Sequence, residues 1–202
     1  MMEQLNYLLF AWINATPASP EWLIDLATFI ARDLIAIIPL LIIGLWFWGQ
    51  QQQLNSQREV VAKATIALLF AMSASAAIGM LLPHERPFAV DVGYTFLAHA
   101  PNSSFPSNHG TAIFTFALAF LFWHRTWSGL LLLAVAVAIA WSRVFLGVHW
   151  PLDMLGGFLV GLVGCLFAQL LWNLFGEAIA RQLTRLYHFL FAFPIRKGWV
   201  KE

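Results

Sequence analysis

The chain has 202 residues, of which 60% are hydrophobic and only 10% charged, with 18 Phe, 10 Trp and a net charge of +1. The length fits one domain, residues 1–202, but such an apolar share excludes an ordinary soluble protein and points to an integral membrane one. Scattered cations without a basic stripe exclude nucleic acid as a partner, and a single Cys165 excludes an internal disulfide or a thiolate metal site.

In chain order, the first twenty residues pair a short apolar stretch with a small-residue end, like a secretory leader. Glu3 stands where a leader has a basic residue, so the segment reads as retained and interfacial. Crossing the hydrocarbon takes about 20 apolar residues per helix. Stretches 22–48, 60–82, 109–123, 127–147 and 152–175 qualify, the third only by borrowing flanking residues. The polar run at 49–56 reads as a connection. From 177 to 202 basic and apolar residues mix, as in an amphipathic helix lying on the cytoplasmic surface. Residues 186–193 are the candidate for a sixth span and are too short to cross. The expectation is an all-α integral membrane bundle of five helices.

Lys and Arg set its orientation, because cytoplasmic loops retain them. With five spans, Arg58, Lys63, Arg125, Arg181, Arg185, Arg196, Lys197 and Lys201 fall on one side, and only Arg86 and Arg143 on the other. The first side reads as the cytoplasm, which leaves loops 83–107 and 143–151 outside. Topology does not need Arg86 or Arg143 there, so a site should.

Three clusters share that outer end. They are His84-Glu85-Arg86-Pro87-Phe88, Pro106-Ser107-Asn108-His109, and the stretch holding Ser142, Arg143, His149 and Asp153. Pro106-Ser107 and Pro151 read as two helix starts, with Ser107 as N-cap and Pro151 in the first turn. Helix N-termini offer unpaired N–H groups and a partial positive charge to an oxyanion. Two guanidinium forks add grips for phosphate oxygens. At a helix start, Asp153 can turn back to the His149 ring four residues earlier and leave one ring nitrogen as a lone pair, which makes a nucleophile. His109, on another helix, is then available as general acid.

These residues resemble the type-2 phosphatidic-acid phosphatase superfamily. Its signature is a Lys with six residues between it and Arg-Pro, then Pro-Ser-Gly-His, then Ser-Arg with His and Asp at fixed spacing. The third part is complete here as Ser142-Arg143, His149 and Asp153; the second has Asn108 in place of Gly; the first has Arg86-Pro87 but Gly79 at the lysine position. The match spans 79–153. Within the superfamily the chain looks most like bacterial undecaprenyl-diphosphatases, which release phosphate from a C55 isoprenoid diphosphate at the outer face of the inner membrane, in peptidoglycan biosynthesis. The resemblance implies that His149 forms a phosphohistidine, Asp153 orients it, and His109 acts as acid and then activates water. Arg86, Ser107 and Arg143 would hold phosphate, with Asn108 beside it. No metal and no cofactor are implied.

The absent lysine asks for a substitute. Arg32, beside Asp33 in the first span, is an ionisable group at membrane depth and a functional candidate on that ground; His84 is the other. His99 reads as a loop residue, while His124 and His188 fall at the cytoplasmic end. No His or acid shows metal-ligand spacing. Alternative readings are a phosphatase for another lipid phosphate such as phosphatidylglycerophosphate or phosphatidate, a non-catalytic lipid-phosphate binder, and a small transporter. A transporter would spread polar residues through several spans, whereas here they gather at one end.

Overall fold

The computed structural model describes residues 2–48 and 53–200. Its described residues are helical or irregular. The helices are α1 (Met2–Ile13), α2 (Glu21–Arg32), α3 (Ile37–Phe47), α4 (Leu54–Leu81), α5 (Asn108–Trp123), α6 (Thr126–Phe145), α7 (Pro151–Leu190) and α8 (Ala192–Arg196). Glu21–Phe47, α4, α6 and α7 are each long and apolar enough to cross a membrane, and α5 is a shorter apolar helix. The architecture is an all-α membrane bundle.

The first expected span is broken. A 3-10 turn, Leu34–Ala36, separates α2 from α3. Pro39 explains it, because its ring has no N–H to donate and collides with the carbonyl four residues earlier, that of Ile35. At 16 residues α5 is about 24 Å long, less than the ~30 Å of hydrocarbon. It tolerates this by being the hub: it packs against α4, α6 and α7, and Ile113, Phe114, Phe116, Ala117, Leu118 and Phe120 are all buried.

Large apolar side chains face outward, Leu69, Leu130, Leu131, Leu159 and Leu166 among them, as a lipid-facing surface requires. Small ones form the seams. A Cβ on Gly157 would lie 2.7 Å from the Thr111 nitrogen, one on Gly161 2.9 Å from the Thr115 nitrogen, and one on Gly164 2.8 Å from the Ala67 carbonyl. Lipid tails are as apolar as leucine, so helices associate in a membrane by this close approach of backbones.

The remaining expectations fall at the ends. α1 is only 12 residues, about 18 Å, too short to cross. It lies against the ends of α6 and α7, where the Tyr7 and Phe10 rings pack tilted against Trp150 at 4.7 and 5.0 Å, and Asn6 Oδ1 accepts from the Leu152 N–H. No new element starts at residue 177. Gly176 does not break the helix, and α7 runs on through Leu190, about 60 Å in all.

Candidate active site

The end of α4, the starts of α5 and α7, and the end of α6 converge at one end of the bundle, covered by α1 and the loop 83–107. Local chemistry sets both helix starts. Ser107 is extended and accepts from the Gly110 N–H at 3.2 Å, capping α5. Pro151 opens α7, and Asp153 Oδ2 reaches back to the Trp150 N–H at 2.8 Å. Gly147 turns the chain between α6 and α7 with φ +79, and a Cβ there would sit 2.1 Å from the Tyr94 carbonyl. Only glycine fits that turn.

That turn carries His149, 2% exposed, onto Asp153, 1% exposed. His149 Nδ1 lies 3.1 Å from Asp153 Oδ2. On its other side, Nε2 lies 3.0 Å from Arg86 Nη1 and 3.3 Å from Ser107 Oγ. A guanidinium only donates and a carboxylate only accepts. The ring therefore carries its hydrogen on Nδ1 and a lone pair on Nε2, directed at Arg86 and Ser107. Burial holds the His149 pKa down to about 3, against the opposing hydrogen bond and charge of Asp153, so the imidazole is neutral at ordinary pH.

Arg86, 3% exposed, is cross-linked into the loop. It donates from Nε to the Asn102 carbonyl at 3.0 Å, from Nη2 to Asn102 Oδ1 at 2.9 Å and to the Ser103 carbonyl at 3.2 Å, and from Nη1 to the Val148 carbonyl at 2.7 Å. Burial lowers its pKa to about 10, with Asp153 opposing, and it stays cationic at neutral pH. Arg143, 2% exposed, donates from Nη1 to the Ala31 carbonyl at 3.1 Å; its buried Nε and Nη2 have no hydrogen-bond partner among the described residues. Buried guanidinium donors are costly to leave unpaired, and an oxyanion is the ligand that fits them. His109 is half-buried in the first turn of α5, within electrostatic range of Arg143, His99 and Arg86.

Two residues join the site without having been singled out by the sequence. Ser104, fully buried, donates to Asp153 Oδ2 and lies 3.4 Å from His149 Nδ1, and its own N–H is held by the His84 carbonyl at 2.7 Å. His99, read as a loop residue, stands with its ring centre 6.0 Å from that of His149. Burial lowers its pKa, helped by Arg86 and Arg143. A serine two residues after Asn102 in a polar loop carries no local signal of this kind.

Of the lysine substitutes, Arg32 is not brought in. It points off α2, 72% exposed, and pairs with Asp33 at 3.6 Å; the neighbouring Ala31 is the residue that faces Arg143. His84 is brought in: its Nδ1 stands 4.0 Å from Asp153 Oδ1, and neither atom has a hydrogen-bond partner among the described residues. Gly79 faces the loop, where a Cβ would meet the Phe105 carbonyl at 3.4 Å and Ser103 Oγ at 3.7 Å. Asn108 turns from the pocket toward α4, accepting from Ser75 Oγ at 3.0 Å.

Known proteins are similar to this chain in sequence and in fold. The chain is 57% identical over 202 residues, all of both chains, to a protein of Escherichia coli (strain K12) provisionally named undecaprenyl-diphosphatase YbjG. It is 29% identical over 164 residues, 81% of this chain and 82% of the relative, to undecaprenyl-diphosphatase BcrC of Bacillus subtilis (strain 168). Among solved structures, the crystal structure of Aquifex aeolicus LpxE superposes with a TM-score of 0.65 at 26% identity, over 82% of this chain and 94% of that one. The PAP2 superfamily model matches residues 59–178, a range that contains every cluster converging on His149, and the chain belongs to that superfamily.

Proposed function

We propose that the chain is a membrane phosphatase that hydrolyses undecaprenyl diphosphate to undecaprenyl phosphate and phosphate through a phosphohistidine on His149. The observation that carries the chemistry is the neutral His149 ring, fixed by Asp153 at Nδ1 and turned at Nε2 toward Arg86 and Ser107. The names of the relatives support the lipid.

In the reaction the Arg86 Nη1–H now aimed at the Nε2 lone pair shifts to a phosphoryl oxygen, and Arg143 offers its two unpaired donors to the same group. Ser107 holds a further oxygen. His149 Nε2 attacks the terminal phosphorus, the bond to the bridging oxygen breaks, and His109 gives that oxygen its proton, releasing the lipid monophosphate. Asp153 stabilises the positive charge that grows on the ring. His109, now unprotonated, takes a proton from water, whose oxygen attacks phosphorus. The P–N bond breaks, and phosphate leaves with His149 restored. His84, next to the second Asp153 oxygen, is a positioning residue in this scheme.

The enzyme belongs in the bacterial cytoplasmic membrane with the site facing outward, a reading supported by the bias of Lys and Arg to the opposite end. The lipid headgroup meets the pocket there while the tail stays in hydrocarbon. The test is phosphate release by purified protein in detergent, without added metal, from undecaprenyl diphosphate, phosphatidylglycerophosphate and phosphatidate. The isoprenoid diphosphate is expected to have the highest kcat/KM, and wild-type protein quenched during turnover with substrate radiolabelled in its terminal phosphate should carry an acid-labile label that His149→Ala lacks. Preferred hydrolysis of a glycerolipid phosphate would overturn the substrate, and undiminished labelling of His149→Ala would overturn the nucleophile.

A further inference from the structure

Glu21–Phe47 is apolar enough to cross a membrane, yet its middle carries two charges. Arg32 and Asp33 are exposed there and pair with each other at 3.6 Å. In an uninterrupted span they would stand near the centre of the hydrocarbon, where ionisable side chains are costly and turn toward the protein interior. These two do not turn inward; the buried residue beside them is Ala31.

The side chains of α2 sort into three lengthwise stripes, each about 60° wide at about 100° per residue. Ile24, Ala27 and Ala31 face the protein, packed with Phe145 and Leu146. Glu21, Asp25 and Arg32 form a second stripe, and Trp22, Leu26 and Phe29 a third, all six exposed. A helix in hydrocarbon is apolar on every side that it shows to lipid. A polar stripe from the first turn to the last, beside an apolar one, belongs to a helix lying in the plane of the interface.

The attachments of α2 agree with that placement. The chain approaches it from Ala15, whose N–H donates to the Phe145 carbonyl at 2.8 Å, and leaves it past Ala31, whose carbonyl accepts from Arg143 at 3.1 Å. Both anchors belong to the last turn of α6, so the chain between them gains no depth in the bundle. Residues 34–48 carry no charge, and Phe47 packs against Tyr187 at the far end, with ring centres 6.3 Å apart. That segment makes the descent.

We propose that α2 is an interfacial helix, lying along the lipid surface at the end that holds His149. Trp22, Leu26 and Phe29 sit among acyl chains, and Glu21, Asp25 and Arg32 among headgroups and water. The bilayer is the partner of this face. α6, on which α2 packs, shows Leu130, Leu131 and Val137 to lipid, and the apolar stripe of α2 extends that surface. Through the bond from Arg143 to Ala31, the surface helix also holds a side chain of the pocket.

The test is electron paramagnetic resonance on the whole chain in nanodiscs of palmitoyl-oleoyl phosphatidylcholine and phosphatidylglycerol. One nitroxide at a time is placed on Asp25→Cys, Leu26→Cys, Phe29→Cys or Arg32→Cys. All four positions are exposed, whereas Cys165 is buried and unsubstituted protein should take up no label. Collisions with molecular oxygen report lipid, and collisions with a water-soluble nickel chelate report water. The ratio of oxygen to nickel collisions should be several-fold higher at positions 26 and 29 than at 25 and 32, which should match each other. Both faces of a nanodisc are open to the chelate, so the result is independent of which side of the membrane the site faces. A steady loss of nickel collisions from 25 to 32 would mean that α2 descends into hydrocarbon. Nickel collisions as frequent at 26 and 29 as at 25 would put the helix in water, and few collisions of either kind at 26 and 29 would mean that protein covers that face. Each of these three results overturns the proposal.

Discussion

The turn between α6 and α7 and the loop 83–107 bring their charged groups to the same pocket but are ordered by different means. The turn is short and fully buried, and its order is local: Gly147 sets the reversal, Pro151 starts the helix, and Asp153 caps the chain it belongs to while holding His149 four residues back. The loop is long and partly exposed, and its order is borrowed. Arg86 ties it to Asn102, Ser103 and Val148, and Asn14 ties its middle to α1 by accepting from the Tyr94 N–H at 2.8 Å and donating to the Tyr94 carbonyl at 2.9 Å. His149 rests on contacts that chain connectivity makes almost unavoidable, and Arg86 on contacts that require the whole fold. Damage to the turn should therefore abolish chemistry in a folded protein, and damage to the loop should weaken chemistry and substrate binding together.

The largest effect is expected at the turn. Asp153→Asn keeps the size of the side chain and a carbonyl to accept from Trp150, but it no longer selects the Nδ1–H form of His149 or stabilises the ring's developing charge. By comparison with other His–Asp pairs kcat should fall about 10³- to 10⁴-fold, with unfolding temperature lowered far less. A loss under tenfold would mean that the turn does not orient the nucleophile.

Arg86→Lys should come next, with kcat/KM down about 10²-fold, the range for losing a preorganised donor in such a site. An ammonium on a flexible stem cannot hold Asn102 and Val148 and still point a donor at the phosphoryl group. Loss of loop order should show as a higher KM along with a lower kcat. A change in kcat alone would mean that the loop stays ordered without its guanidinium.

Ser104→Ala tests where the two regions meet. It removes one donor from Asp153 Oδ2, which the Trp150 N–H and His149 still hold, so kcat should fall about tenfold, near the ~1.5 kcal/mol of one charge-assisted hydrogen bond. A loss as deep as that of Asp153→Asn would make Ser104 indispensable to the pair.

The same contrast decides what could be read from the sequence. Membrane class, the helical bundle, both helix starts and the His149–Asp153 pair were legible, because each depends on composition or on residues within four positions of one another. The break before Pro39 was available from that proline, yet hydropathy alone ran 22–48 together as one span. Arg32 was read as a charge for the pocket because depth along a helix is legible and azimuth is not: its side chain turns out to be 72% exposed, while the neighbouring Ala31 is fully buried. Ser104 and His99 were missed because loop closure over some 45 and 50 residues brings them to His149, and no periodicity encodes that.

A pH experiment separates the ring's burial from its chemistry. The folded His149 pKa is held near 3 by burial, below about 6.5 for an unfolded histidine. Between those values the unfolded chain binds a proton that the folded ring refuses, so stability is full above about pH 6.5 and falls as pH drops toward 3. His149→Gln should flatten the decline of unfolding temperature between pH 6.5 and 4, measured in detergent. His99, also lowered by burial, supplies a remaining slope of the same sign. An unchanged slope in His149→Gln would mean that the turn admits water.

The smallest effect is expected at His84, where loop and turn approach without bonding. Its Nδ1 and Asp153 Oδ1 are 4.0 Å apart, beyond hydrogen-bond range, and both are buried without partners. A shift of under an ångström, of the size that substrate binding produces in a preorganised site, would close the contact and give the free carboxylate oxygen a donor. His84→Ala should lower kcat a few-fold, about 1 kcal/mol for a single hydrogen bond, with KM unchanged because the closed contact would act on Asp153. His84→Gln, whose amide can donate to the same oxygen, should recover most of that loss. If Gln is no better than Ala, what matters at position 84 is packing on Trp150, where the two rings stand 6.3 Å apart, and the second oxygen of Asp153 works without a donor.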